Sequence, residues 1–82
     1  MKGYEAARME ILEWVAEAIQ VPIDEIDLEK PLPEIGIDSL DAVHMIATIE
    51  SIIGKELPED IIQRVRHLND IFDMMRDKMA AA

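Results

Sequence analysis

The 82-residue sequence predicts an all-α fold, and three observations support this prediction. Apolar residues recur at three- and four-residue spacing over much of the chain, which is the period of a helix that buries one face. Residues that start and stop helices bracket these segments. The strict alternation of apolar and polar residues that indicates strands is absent. We therefore expect three main helices and one short helix around one core, in a single domain over residues 1–82.

A first helix is predicted over about residues 4–20. Its apolar face consists of residues at i, i+4, i+7 and i+8 spacing, namely Ile11, Val15, Ala18 and Ile19. Glutamates occupy the opposite face, as expected for the exposed side of an amphipathic helix. Pro22 cannot donate a backbone hydrogen bond and ends the helix.

A long ordered loop is predicted after the first helix, over residues 21–37. It contains three prolines and Gly36, which disfavour a regular helix. It also contains more large aliphatic residues than a free linker would, namely Ile23, Ile26, Leu28, Leu32 and Ile35. We expect this loop to lie on the core, with a short turn near residues 24–27.

A second helix is predicted over residues 39–53. Asp38 is a good N-cap residue, and Asp41 follows three positions later, where an acid also suits the positive end of the helix dipole. Gly54 has the conformational freedom to end the helix in a left-handed turn. The core residues expected from this helix are Met45, Ile46, Ile49 and Ile53.

A short third helix is predicted over about residues 59–65, with Pro58 at or near its first turn. A fourth helix is predicted over about residues 69–79, with Asn69 or His67 as its cap. The wall of the core that faces the second helix is expected to consist of Val65, Leu68, Ile71 and Phe72.

The net charge of −10 arises from 18 acidic and 8 basic residues. Nine of these ten net negative charges fall between residues 21 and 60. Such a field repels nucleic acids and anionic membranes and attracts basic protein surfaces, although it also serves solubility alone. We therefore expect protein partners with basic patches, and neither nucleic acid nor membrane as a partner.

The absence of cysteine excludes disulfides, thiol catalysis and zinc–thiolate sites. The first twenty residues carry scattered charges rather than the apolar core of a signal peptide. No apolar stretch approaches the roughly 18 residues of a membrane span. We therefore expect a cytoplasmic protein, and we expect it to be a monomer.

Ser39 raises the question of catalysis, because it opens an apolar helix directly after the capping Asp38. A nucleophilic serine needs a base within hydrogen-bond reach, yet His44 would lie about 140° around the same helix. No nucleophile-elbow motif surrounds the serine, and neither histidine belongs to a recognisable set of metal ligands. The sequence therefore predicts no catalytic residue and no metal site. An exposed serine at a helix start instead suits the attachment of an anionic group.

The segment "PLPEIGIDSLDAV", residues 31–43, resembles the attachment motif of acyl carrier proteins. The resemblance covers nearly the whole chain and implies a four-helix carrier-protein bundle. It implies that a phosphopantetheinyl transferase, with Mg²⁺, transfers 4′-phosphopantetheine from coenzyme A to Ser39. The thiol at the end of this arm would hold acyl groups as thioesters, so the protein would be a carrier and not an enzyme.

The resemblance also assigns roles to residues near Ser39. Asp38 matches the acid that helps the transferase bind and caps the helix. Leu40 and Val43 match apolar positions that partner enzymes contact. These partners would be acyl-transferring and chain-modifying enzymes with basic docking patches. The acidic docking positions that the resemblance implies are Asp41, Glu50, Glu56, Glu59 and Asp60.

Two positions depart from the pattern of fatty-acid carriers, which often have acids where this chain has His44 and Ser51. The segment is also similar to carriers from modular polyketide synthases, so fatty-acid, polyketide and related pathways all stay open. A peptidyl or aminoacyl carrier is an alternative, but such carriers usually have a second glycine before the serine, where this chain has Ile37 and Asp38. A small helical interaction domain that is never modified is a further alternative.

Overall fold

The chain folds into four α-helices in a computed structural model that describes residues 3–80. The helices are α1 (Tyr4–Ile19), α2 (Ser39–Ile53), α3 (Ile61–Arg64) and α4 (Leu68–Ala80). Two short 3₁₀ helices, Ile23–Glu25 and Leu32–Ile35, lie in the loop between α1 and α2. No strand occurs within residues 3–80. The all-α prediction of three main helices and a short one is therefore confirmed, while residues 1, 2, 81 and 82 of the predicted domain lie outside the described residues.

The predicted helix bounds hold closely for the long helices and less well for α3. α2 has the predicted bounds, and α1 ends one residue early because Gln20 adopts a left-handed conformation with φ of 58°. α3 begins at Ile61 rather than at residue 59, because the turn before it closes with a hydrogen bond from the Ile61 N–H to the Pro58 carbonyl. It ends at Arg64, because Val65 is extended.

α4 begins at Leu68, so His67, one of the two predicted caps, stands at the N-cap position, but neither predicted side chain acts as a cap. Asn69 lies inside the helix, and its side-chain amide donates a hydrogen bond to the Glu29 carboxylate. The His67 ring does not cap either, because its buried Nδ1 has no hydrogen-bond partner among the described residues. Asp70, the third residue of the helix, makes the reciprocal contact of a capping box: its Oδ2 accepts hydrogen bonds from the backbone N–H groups of Arg66 at 2.9 Å and His67 at 3.4 Å. A carboxylate within the first turn reaches backwards here, which a search for a preceding cap residue misses.

The core lies between α1, α2 and α4, and it is apolar throughout. The most completely buried large side chains include Ile11, Val15, Met45, Ile49, Leu68, Ile71, Phe72 and Met75. The expected core residues of α2 and α4 are therefore found, except that Ile46 is only half-buried. Ala18 and Ile19 were both expected on the apolar face of α1, but Ala18 is exposed, whereas Ile19 is half-buried and lies against Gly36 of the returning loop. No helix in the described part of the chain has the length and apolar character of a membrane span.

The long loop between α1 and α2 is ordered, as predicted, because backbone hydrogen bonds attach it to the α3–α4 junction. The Leu32 N–H donates to the Arg66 carbonyl at 2.9 Å, and the Asn69 N–H donates to the Leu28 carbonyl at 3.2 Å. Leu32 is buried, so apolar burial and hydrogen bonds act at the same point. This attachment fixes the segment that leads into α2. The turn expected near residues 24–27 is present as the 3₁₀ helix Ile23–Glu25.

Candidate functional site

Ser39 is the first residue of α2, and the Asp38 cap fixes its position. The Asp38 backbone is extended, and its Oδ1 accepts a hydrogen bond from the Asp41 N–H at 2.8 Å. The Asp38 carbonyl accepts the first helical hydrogen bond, from the Ala42 N–H at 2.9 Å. The Ser39 side chain is exposed, as are those of Asp38 and Leu40. The predicted cap is therefore present, and a macromolecule can reach the serine hydroxyl.

Gly36 and Ile37 direct the chain into α2. Gly36 has a φ of 100°, which L-residues with a Cβ rarely adopt, so another residue here would strain the turn. Its N–H donates to the Pro33 carbonyl, and the Ile37 N–H donates to the Leu32 carbonyl at 3.0 Å. Ile37 is almost fully buried, so the chain is held by its side chain two residues before Ser39. The segment before Ser39 is thus held by backbone hydrogen bonds and by a buried side chain.

A cavity of about 360 Å³ opens beside Ser39, between the end of the long loop, the start of α2 and the α3–α4 junction. Its apolar walls are formed by Leu32, Ile37, Ala42, Ile62 and Val65, together with Pro31 and Pro33. Its polar lining consists of Asp38, Ser39 and Arg66, of which Arg66 is basic. A covalent group on Ser39 therefore has both an exit to solvent and a partly apolar cleft beside it.

Neither histidine lines this cavity. His44 is exposed on α2. The His67 ring lies 3.4 Å from the Asp70 carboxylate and 3.9 Å from that of Glu29. Among residues 3–80 no three or more histidine, cysteine or acidic side chains converge in a way that could hold a metal ion. The surroundings of Ser39 supply a reachable hydroxyl and room for an attached group, without a histidine base.

Several of the predicted docking residues surround a second groove, of about 440 Å³, between α2 and α3. Val43, Glu50, Glu56 and Glu59 all line this groove. Leu40, Asp41 and Asp60 do not line it. Leu40 and Asp41 lie in the first turn of α2, and Asp60 directly precedes α3 and pairs with Arg64 at 3.8 Å.

Three large apolar side chains on these elements are exposed to solvent. The exposed fractions are 64% for Leu40, 49% for Val43 and 39% for Ile62. Ile62 lines both the cavity beside Ser39 and the groove, so the two depressions adjoin. Exposed apolar residues rimmed by charged ones are typical of protein interaction sites.

Within the part of the chain that the structure describes, Glu50 differs from Glu56 and Glu59, because its carboxylate accepts a hydrogen bond. Its Oε2 accepts a hydrogen bond from the Leu57 backbone N–H at 2.7 Å, and this contact is partly buried. The carboxylate thus attaches α2 to the loop that follows it. This role is not predictable from the sequence, because a contact seven residues away across a turn leaves no periodic signal.

Arg66 and Ile62 were not among the predicted site residues, yet both line the cavity beside Ser39. Ile62 follows the buried Ile61 on a one-turn helix, and the apolar pair gave no sign of which member is exposed. Arg66 was only one of eight basic residues in the sequence. A search for cations in a strongly acidic chain could have singled it out, but only the fold places it near Ser39.

Comparison with known proteins agrees with this geometry. The family described as "Phosphopantetheine attachment site" matches residues 10–75. The acyl carrier protein of Thermosynechococcus vestitus is 35% identical over 78 residues, which cover 88% of this chain and 95% of that protein. The acyl carrier protein of Phytoplasma mali is 34% identical over 67 residues, with 80% of each chain covered. A highly reducing polyketide synthase of Byssochlamys spectabilis is 38% identical over 52 residues, 60% of this chain but only 2% of that enzyme.

The fold and the matched region define a phosphopantetheine-bearing carrier, a class of protein that is not catalytic. The chain belongs to the acyl carrier protein family.

Proposed function

We propose that Ser39 is the attachment site and that the protein presents acyl thioesters to biosynthetic enzymes. The observation that carries this proposal is the position of Ser39 as the exposed first residue of a capped helix, beside a cavity with room for an attached group. The segment around it, "GIDSL", also supports the assignment, because it has the form of the family's attachment motif.

The chain's own part in the attachment is to present one hydroxyl in a fixed place. Ser39 Oγ forms a bond to the phosphorus of coenzyme A that carries the pantetheine arm, and the bond from that phosphorus to the adenosine bisphosphate half breaks. The serine proton passes to a base of the transferase. Asp38 supports the reaction by holding Ser39 at the helix start through its cap. When bound, the arm supplies the thiol that forms the acyl thioester, which the cysteine-free chain itself lacks.

Partner enzymes are proposed to dock on α2 and α3. Val43 and Ile62 supply exposed apolar surface at the groove, and Leu40 extends it next to Ser39. The proposed acidic docking residues come from α2 and from the loop that leads into α3, namely Asp41, Glu50, Glu56, Glu59 and Asp60. A phosphopantetheinyl transferase and acyl-transferring or chain-modifying enzymes with basic patches would be attracted there over a long range.

The pathway is proposed to be fatty-acid, polyketide or related biosynthesis, in the cytoplasm and with the carrier as a monomer. Exposed His44 and Ser51 make the outer face of α2 less acidic than a helix with acids at both positions. A partner for this carrier therefore meets fewer acids on the outer face of α2, and the loop before α3, with Glu56, Glu59 and Asp60, supplies a larger share of the acidic surface.

Intact-mass measurement tests the attachment. The apo protein is incubated with coenzyme A, Mg²⁺ and a broad-specificity transferase, and we expect a mass gain of one phosphopantetheine. Ser39→Ala should gain nothing. Ser51→Ala is the matched control, because Ser51 is the second of the two serines and is also exposed on α2, and it should gain as much as the wild type. A gain by Ser39→Ala, or none by the wild type, would contradict the proposal; the latter would favour an unmodified interaction domain.

A further inference from the structure

We propose that Arg66 holds the phosphodiester of the arm on Ser39, and so directs the arm along the cavity beside it. This inference rests on the proposed attachment at Ser39. Arg66 is a positioning residue in this account, because it acts on the attached group and takes no part in acyl transfer. Three observations support this inference. Arg66 and Ser39 line the same cavity, the backbone of Arg66 is held by hydrogen bonds, and its guanidinium has no ion pair among residues 3–80.

Arg66 and Ser39 line the same cavity from opposite elements. Ser39 belongs to the start of α2, and Arg66 lies in the junction between α3 and α4. The other side chains around the cavity are apolar except for the carboxylate of Asp38. A phosphodiester on Ser39 would therefore carry its negative charge into a cavity whose charged lining residues are Asp38 and Arg66.

The backbone of Arg66 is held at both of its polar groups. Its carbonyl accepts a hydrogen bond from the Leu32 N–H at 2.9 Å, and its N–H donates to Asp70 Oδ2 at 2.9 Å. These bonds tie the junction to the long loop on one side and to α4 on the other. The guanidinium therefore projects from a fixed point, which lowers the entropic cost of meeting a phosphate.

The Arg66 guanidinium also has no ion pair within residues 3–80, although acids outnumber bases by ten in the sequence. Arg64, two residues earlier, pairs with Asp60 instead. Arginine presents a planar set of donors that matches two phosphate oxygens, and such charge-assisted bonds are stronger than neutral ones. A phosphodiester on Ser39 would thus supply an anionic partner that the Arg66 guanidinium lacks among residues 3–80.

The position of Arg66 predicts the direction in which the attached arm extends from Ser39. A phosphate held toward Arg66 places the following pantetheine atoms against the apolar wall of the cavity, near Ile62 and Val65. Without this contact, the Asp38 carboxylate repels the phosphodiester and the arm extends into solvent. Arg66 would therefore shift the population between an arm laid along the protein and an arm presented to a partner.

The experiment compares wild-type, Arg66→Gln, Arg66→Lys and Arg64→Gln proteins in both apo and holo forms. Intact mass first establishes that each protein carries one arm; a wild type that gains none would overturn the attachment proposal and this inference with it. Phosphorus NMR then reports the phosphodiester, and amide NMR reports the apo-to-holo shift changes at Ala42, Ile62 and Val65. Melting of the apo forms checks that Arg66→Gln leaves the fold intact, as expected for an exposed side chain whose backbone makes the structural bonds.

In Arg66→Gln we expect a changed phosphorus shift and apo-to-holo amide changes reduced at least about twofold, since a charge-assisted contact is lost. Arg66→Lys should retain part of the effect, because it keeps the charge without the planar fork. Arg64→Gln removes the same charge two residues away and should match the wild type. If the modified wild type and the modified Arg66→Gln variant give the same spectra, the role of Arg66 is overturned while the attachment at Ser39 stands. An equal effect of Arg64→Gln would overturn the role of Arg66 in the same way.

Discussion

Glu50 Oε2 accepts a hydrogen bond from the Leu57 N–H at 2.7 Å and thereby joins the last turns of α2 to the loop before α3. The contact lies beside Val43 and Glu59 on the proposed docking groove. The groove therefore keeps its shape partly through one of the acids that the sequence assigns to partner binding.

Glu50→Ala should lower the free energy of unfolding by about 1–2 kcal/mol, because a partly buried backbone N–H loses a charged acceptor. Glu56→Ala is the matched control on the same groove; its side chain is exposed, and we expect a change within about 0.5 kcal/mol. Urea denaturation measures both. Equal stability of the two variants would show that the Glu50 contact contributes nothing.

Asp38→Ala should destabilise the protein by about 1 kcal/mol through loss of the α2 cap. Asp38→Asn should retain most of the stability, because the asparagine side-chain oxygen can accept the same hydrogen bond from the Asp41 N–H. The measurement is again chemical denaturation of the apo protein. If Asp38→Asn lowers the free energy of unfolding as much as Asp38→Ala does, then the negative charge of Asp38 stabilises α2 and the hydrogen bond does not.

Added salt should raise the melting temperature of the apo protein. Nine net negative charges between residues 21 and 60 repel one another in a small domain, and screening weakens that repulsion. Thermal melts between low salt and 1 M salt measure the effect. A melting temperature that stays flat or falls would show that the acids are too dispersed to oppose folding.

Reversing acids at the groove should slow modification by a phosphopantetheinyl transferase with a basic docking patch. Glu56→Lys and Glu59→Lys should lower kcat/KM several-fold at low salt, and the deficit should shrink as the Debye length falls from about 10 Å at 0.1 M to about 3 Å at 1 M. Val43→Asp should reduce kcat/KM at every salt concentration, because it removes apolar contact.

Glu13→Lys is the matched control for these reversals, since Glu13 is an exposed acid on α1 and away from the groove. It should leave kcat/KM near the wild-type value. A Glu13→Lys deficit as large as that of Glu59→Lys would mean that the docking face is wrongly placed.

Local patterns allowed much of this fold to be predicted. The Asp38 cap and the Gly54 stop gave the bounds of α2, because both signals lie within a few residues of the helix ends. Two details of the prediction were wrong for different reasons. The burial of α1's last turn depends on the loop that returns over it, in which Gly36 lies against Ile19 while Ala18 stays exposed. At the start of α4 the hydrogen bonds are local, but they come from Asp70, a residue inside the helix, rather than from a residue before it.

The site shows the same division between local and long-range information. The position of Ser39 at a helix start follows from the sequence around it. The cavity beside it does not, because its walls come from three segments that only tertiary packing brings together. Arg66 illustrates this best, since it lies 27 positions from Ser39 in the sequence yet lines the same cavity.

Fragmentation of the modified peptide tests the central claim most directly. No lysine or arginine lies between Ser39 and Ser51, so trypsin leaves both serines in one peptide, and fragment masses tell them apart. After treatment with coenzyme A and a transferase, we expect every modified fragment to contain Ser39 and every fragment with Ser51 but without Ser39 to be unmodified. Phosphopantetheine on Ser51 or on any residue other than Ser39 would contradict the account.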